Sequence, residues 1–193
     1  IVEARRRANL ARYFPASIVD ALAHEGAGMR QASRRQAAAV LFADIQGFTA
    51  LTETMDPAAA TDLLNEFRRR VTLPIRAHGG MLDKFIGDAV MAVFGTPEPG
   101  PGDARAAVLA AIDMLAGIAL WNEARAKRGE PAIKLGIGIH YGPVVAGVLG
   151  DEERMEYTVI GDTVNVAQRI ERLTRELGEE LVVTADVLAA LDG

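Results

Sequence analysis

Met81-Leu82-Asp83-Lys84-Phe85-Ile86-Gly87-Asp88-Ala89-Val90-Met91-Ala92-Val93-Phe94 consists of two runs of strand length joined by Gly87-Asp88, and it reads as a tight antiparallel hairpin. Upstream, Asp56 followed by Pro57 opens a helix, since a capping carboxylate precedes a proline whose missing N–H costs nothing in the first turn. The helix is expected to run to about His78, with Pro74 as a candidate kink and Gly79-Gly80 as its stop. Before it, residues 37–43 form an apolar run too short for a helix, which predicts a buried strand ending in a polar loop at Asp44 and Gly47. Downstream, residues 96–102 are rich in proline and glycine and read as a loop, and the alanine-rich residues 103–128 read as a second long helix. Ile133, Leu135, Ile137 and Ile139 alternate as a strand, Gly142-Pro143 is expected to turn the chain, and residues 144–149 continue as another strand. A short strand at 157–160, a helix at 163–177, a strand at 181–183 and a helix at 185–191 complete the pattern. Helices separated by pairs of adjacent strands predict an α+β fold with an antiparallel or mixed sheet and flanking helices.

The 193 residues suit one compact domain with a short appendage. Residues 2–24 read as two short helices broken near Pro15, so 1–35 is expected to be a helical segment and linker, with the main domain at 36–193. The chain begins at Ile1 inside this helical pattern and reads as a piece of a longer protein. A net charge of −5 lacks the basic field that nucleic acid requires, so no nucleic-acid partner is expected. An anionic substrate would need help from cations such as Mg²⁺, which bring phosphates and carboxylates together. The absence of cysteine excludes disulfides and thiolate metal sites, and the expected setting is cytoplasmic. No apolar run reads as long enough to cross a bilayer, and no membrane contact by this segment is expected. His24, His78 and His140 are too scattered to form a ligand cluster.

Three constellations carry chemistry. In Phe42-Ala43-Asp44-Ile45-Gln46-Gly47-Phe48-Thr49 a strand delivers a carboxylate to a loop whose glycine lets backbone approach a ligand. In Lys84-Phe85-Ile86-Gly87-Asp88 a second carboxylate stands at the hairpin turn. Two loop carboxylates suit a shared Mg²⁺ or a pair of ions for a displacement at phosphorus, although singly each aspartate reads as a turn residue. In Thr158-Val159-Ile160-Gly161-Asp162-Thr163-Val164-Asn165-Val166-Ala167-Gln168-Arg169, Asn165 and Arg169 are four apart and share one face of a helix. That pairing suits a polar ligand; the plain alternative is a solvated surface.

In order, spacing and context these segments resemble the class III nucleotidyl cyclase catalytic domain, from about Ala38 to Gly193. The resemblance implies a ferredoxin-like βαββαβ core and a homodimer with composite sites. It implies an adenylyl cyclase that converts ATP to 3′,5′-cyclic AMP and pyrophosphate in signal transduction. Asp44, Asp88 and the Ile45 carbonyl would hold two divalent ions, Mg²⁺ or Mn²⁺, and the Gly47-Phe48-Thr49 turn would contact phosphates. From the other subunit Lys84 resembles the lysine that meets adenine N1, where guanylyl cyclases carry glutamate. Thr158 resembles the threonine of a bacterial-type subgroup whose hydroxyl accepts from the adenine amine; because a hydroxyl also donates, Lys84 carries most of the ATP assignment. Asn165 would orient the ribose, Arg169 would stabilise charge on the α-phosphate, and Arg154 is a further candidate phosphate contact. A last lysine of the family comes from a hairpin after the final helix, a segment expected beyond Gly193. Residues 1–35 resemble the coupling element through which an upstream sensor domain acts. A catalytically weak or silent nucleotide-binding module and a guanylyl cyclase are the alternatives.

Overall fold

The computed structural model of the protein describes residues 33–150 and 155–191. Its elements are β1 (Arg34–Ile45), α1 (Phe48–Thr52), α2 (Pro57–Ala77), β2 (Met81–Ile86), β3 (Ala89–Phe94), α3 (Asp103–Ala126), β4 (Leu135–Gly150), β5 (Met155–Ile160), α4 (Asp162–Leu177), β6 (Leu181–Val183) and α5 (Ala185–Leu191). The helices expected at 2–24 and the candidate Arg154 lie outside the described residues.

One sheet runs β2-β3-β1-β4-β5, with β6 paired to β4. Its first four strands pair antiparallel in the order β4-β1-β3-β2, with α2 joining β1 to β2 and α3 joining β3 to β4, which is the ferredoxin-like βαββαβ core. The parallel pairing of β6 with β4 makes the sheet mixed. Strand alternation sorts the core into two faces. Leu41, Phe94, Leu135, Ile137 and Ile139 bury one face under α2 and α3, while Val40, Phe42, Met91, Val93 and Val159 bury the other with Ala167 of α4. On α2, Leu63, Phe67, Val71 and Ile75 recur every fourth residue and form the stripe that meets the sheet. Asp56 accepts from Ala58 N at 2.9 Å as the expected cap.

Three expectations need correction. Gly142-Pro143 does not turn the chain: β4 is a single strand through both residues, and Gly142 and Pro143 pair with Ala38 and Ala37 of β1. The proline is tolerated because it sits between the stretch of β4 that pairs with β6, ending at Ile139, and the stretch that pairs with β5, starting at Val145. The polar loop after Asp44 is also more ordered than its composition indicates, since Gly47 enters the left-handed region at φ 74° and starts α1. By length and composition α3 is apolar enough to cross a membrane, contrary to the reading that no run is. One side of it, including Ala107, Ala111, Met114, Ile118 and Trp121, belongs to the buried core of this domain.

The position of α4 depends on small residues in β4. A Cβ at Gly138 would lie 2.1 Å from Glu171 N, and one at Gly136 would lie 2.5 Å from Thr174 Oγ1. These glycines therefore let the second half of α4 rest directly on β4, beside the end of β1 where Asp44 stands.

Candidate active site

Asp44 is the penultimate residue of β1, opposite Ala89 of β3 and Gly136 of β4. The same register carries Asp88, in the β2–β3 turn beside Gly87 (φ 62°), alongside it. The expected carboxylate pair is thus brought together, with Ile45 ending the strand and Gly47-Phe48-Thr49 leading into α1. Two α4 residues that the sequence reading did not single out complete the cluster. Arg175 Nη2 donates to Asp44 Oδ2, and Glu171, itself buried, lies 3.7 Å from Arg175.

The electrostatics are strained. Asp44 is pushed up to about 7, first by burial, then by the Asp88 carboxyl close enough to share a proton with it and repel its charge, and by Glu171; Arg175 opposes the shift. Burial also pushes Glu171 up, against the pull of Arg175 and Arg172. With the carboxyls ionised, Asp44 Oδ1 and Glu171 Oε1 are buried with no hydrogen-bond donor facing them. An orphaned carboxylate oxygen facing a second carboxylate fits a hard divalent cation with oxygen ligands. Among the described residues no cluster of three or more His, Cys, Asp or Glu has metal-binding geometry, so such an ion would complete its shell with backbone, water or substrate oxygens.

Lys84 and Thr158 form a second cluster. β2 and β5 stand at opposite ends of the strand order, yet Thr158 Oγ1 donates to Asp83 Oδ2 at 3.0 Å and Lys84 Nζ donates to Glu156 Oε1 at 2.9 Å. The curl of the sheet brings its two edges together. Lys84 Nζ is also 3.4 Å from Asp83 Oδ2. Burial disfavours the Lys84 ammonium, but Glu156 and Asp83 more than offset it and push its pKa up. Burial pushes Asp83 up, against the Thr158 donation and the Lys84 charge. Asp83 and Glu156 were not singled out from the sequence. A register shift in β2 between Leu82 and Lys84 breaks strict alternation, so consecutive residues Asp83 and Lys84 reach the same neighbourhood, which no period-two pattern predicts.

Asn165 and Arg169 are exposed on the first half of α4, and Arg169 lies 3.8 Å from the exposed Asp162. Within this chain the α4 residues that reach Asp44 are Glu171 and Arg175, not these two.

This chain belongs to the adenylate and guanylate cyclase catalytic domain family, whose pattern matches residues 30–192. It is 37% identical over 186 residues to an adenylate cyclase of Anabaena cylindrica, an alignment that covers 93% of this chain and 36% of the relative. The chain therefore spans about a third of the length of that curated relative. Among solved structures it is similar to the adenylyl cyclase CyaB from P. aeruginosa, with a TM-score of 0.76, 32% identity and coverage of 83% of this chain and 82% of that one. It is similar to the same degree to the guanylyl cyclase Cya2, with a TM-score of 0.76, 31% identity and coverage of 82% and 79%. The nucleotidyl cyclase fold and family are thereby established, and the choice of base rests on this chain's own residues.

Proposed function

We propose that the chain is the catalytic domain of an adenylyl cyclase that forms 3′,5′-cyclic AMP and pyrophosphate from ATP at composite sites of a homodimer, in signal transduction controlled by an upstream sensor domain. The observation that carries the reading is the Lys84 ammonium held beside the Thr158 hydroxyl by Glu156 and Asp83. Adenine presents an acceptor at N1 and an amine at C6, which match an ammonium and a hydroxyl oxygen; guanine presents N1–H, which an ammonium cannot meet.

In the reaction the ribose 3′-oxygen forms a bond to the α-phosphorus, the bond from that phosphorus to the bridging oxygen breaks, pyrophosphate leaves, and the hydroxyl proton passes to solvent water. Bound Mg²⁺ or Mn²⁺ supplies acidification of the 3′-hydroxyl and compensation of the triphosphate charge. Asp44, Asp88 and the Ile45 carbonyl would hold the two ions; the orphaned Asp44 Oδ1 supports this. Gly47, Phe48 and Thr49 lie next to the pair and contact the phosphates. Lys84 and Thr158 bind the base from the other subunit. Asn165 and Arg169, exposed together on α4, orient the ribose and stabilise charge developing on the α-phosphate. Arg154 adds a phosphate contact. One chain carries both halves, so two-fold pairing yields two equivalent sites.

The test is to incubate the purified protein with ATP or GTP and Mg²⁺ or Mn²⁺, and to measure both cyclic nucleotides. Cyclic AMP from ATP, lost in Asp44→Ala and in Lys84→Glu, is expected. Cyclic GMP as the main product would favour a guanylyl cyclase, and no product from a verified dimer would favour a silent nucleotide-binding module.

A further inference from the structure

A threonine hydroxyl carries one proton and two lone pairs, so by itself Thr158 can accept from an adenine amine or donate to a guanine carbonyl. Its surroundings remove that ambiguity. Thr158 Oγ1 lies 3.0 Å from Asp83 Oδ2, and the Asp83 side chain is 0% exposed. A carboxylate only accepts, so the single Thr158 proton is committed to Asp83, and what remains on Oγ1 for a ligand is lone pairs. The Lys84 ammonium, 3.4 Å from the same Asp83 oxygen, favours the anion and hence this direction of donation.

We propose that Asp83 is the positioning residue for base selectivity: it fixes Thr158 as an acceptor, so that Lys84 and Thr158 together present a donor and an acceptor to the purine edge. This pattern complements N1 and the amine of adenine. It opposes both N1–H and O6 of guanine, placing donor against donor and acceptor against acceptor. The inference rests on the reading of Lys84 and Thr158 as the base-binding pair, and it supplies what the threonine lacks: a hydroxyl oriented by a buried anion does the work of a carboxylate.

Two further observations point the same way. The irregularity in β2 between Leu82 and Lys84 is what lets Asp83 reach Thr158, although β2 and β5 are the two ends of the strand order. Asp83 Oδ1 is buried without a hydrogen-bond partner. A half-satisfied buried carboxylate costs stability where an apolar side chain would not, so Asp83 is poorly explained as a device for folding.

The experiment compares kcat/KM for ATP and for GTP in the full chain, in Asp83→Asn, and in Asp83→Asn combined with Thr158→Asp. The amide in the first variant can donate to Thr158 Oγ1 and release the hydroxyl proton towards the ligand. The ATP-over-GTP ratio is expected to fall by about tenfold or more, the scale of one hydrogen bond made or opposed in a dry site. In the double variant a carboxylate at position 158 accepts without help, and the ratio is expected to recover. Equilibrium binding of the α,β-methylene analogues of ATP and GTP, measured by calorimetry on the same proteins, reads the same preference if a variant turns over too slowly. An unchanged ratio in Asp83→Asn, or a fall that the double variant does not reverse, overturns the proposal while leaving the cyclase reading intact. A wild-type protein with no preference for ATP overturns the base reading itself and this inference with it.

Discussion

Arg175 of α4 donates to Asp44 of β1 across 131 positions of sequence, and so sets a fixed cation against the carboxylate that faces Asp88. The contact depends on α4 lying close on β4, and it makes Arg175 a competitor for any ion that Asp44 binds. Replacing Arg175 with Met keeps an apolar stem and removes the charge. At pH 8, where Asp44 is ionised, Mn²⁺ affinity measured by titration calorimetry is expected to rise roughly threefold to tenfold, a range held down by the partial exposure of Arg175. Unchanged or weaker Mn²⁺ binding would show that Arg175 instead helps to hold the carboxylate in place for the ion.

The metal-free protein has a pH dependence of defined sign. Folded Asp44 titrates at about 7 against an ordinary value of 3.8, so between these values the folded state binds more protons than the unfolded state. Its contribution to stability is full below about 3.8 and is lost as pH rises through about 7, and buried Glu171 acts with the same sign. The melting temperature in EDTA is expected to fall between pH 5 and pH 8, and to fall less in Asp44→Asn. A metal-free melting temperature that climbs over this range in the wild type would refute the assignment.

Gly138→Ala places a methyl group against the backbone of α4 at Glu171, a contact too close for either element to absorb without moving. A loss of about 1–3 kcal/mol is expected in urea unfolding, the usual cost of overpacking. Gly129→Ala serves as a comparison of a different kind, since Gly129 has open space around it and its cost arises from its positive φ of 71° alone. Equal spectra and equal stability for Gly138→Ala and the wild type would mean that α4 does not rest on β4 as described.

How far the sequence could be read depended on how local each signal was. The hairpin at Gly87-Asp88, the cap at Asp56 and the helix that follows it to about His78 are set by neighbours within a few residues, and all three are found where the pattern puts them. The Asp44–Asp88 pair was legible as well, because both residues end strand-length runs. Gly142-Pro143 misled because its meaning lies in which strands flank β4, a tertiary fact. Asp83 and Glu156 were missed for a similar reason: an irregular register in β2 and the curl of the sheet create their contacts, and neither leaves a periodic trace. Glu171 and Arg175 look like an ordinary charged pair on a helix until the glycines of β4 set them beside Asp44.

In the proposed homodimer each site takes its metal-binding carboxylates from one subunit and its Lys84, Thr158, Asn165 and Arg169 from the other. Asp44→Ala and Arg169→Ala, each inactive alone, are mixed in equal amounts under conditions where subunits exchange, and cyclic AMP formed from ATP is measured. Half of the dimers then pair unlike chains, each with one intact site, so about a quarter of wild-type activity is expected. A mixture that contains verified mixed dimers yet forms no cyclic AMP would rule out sites shared between subunits.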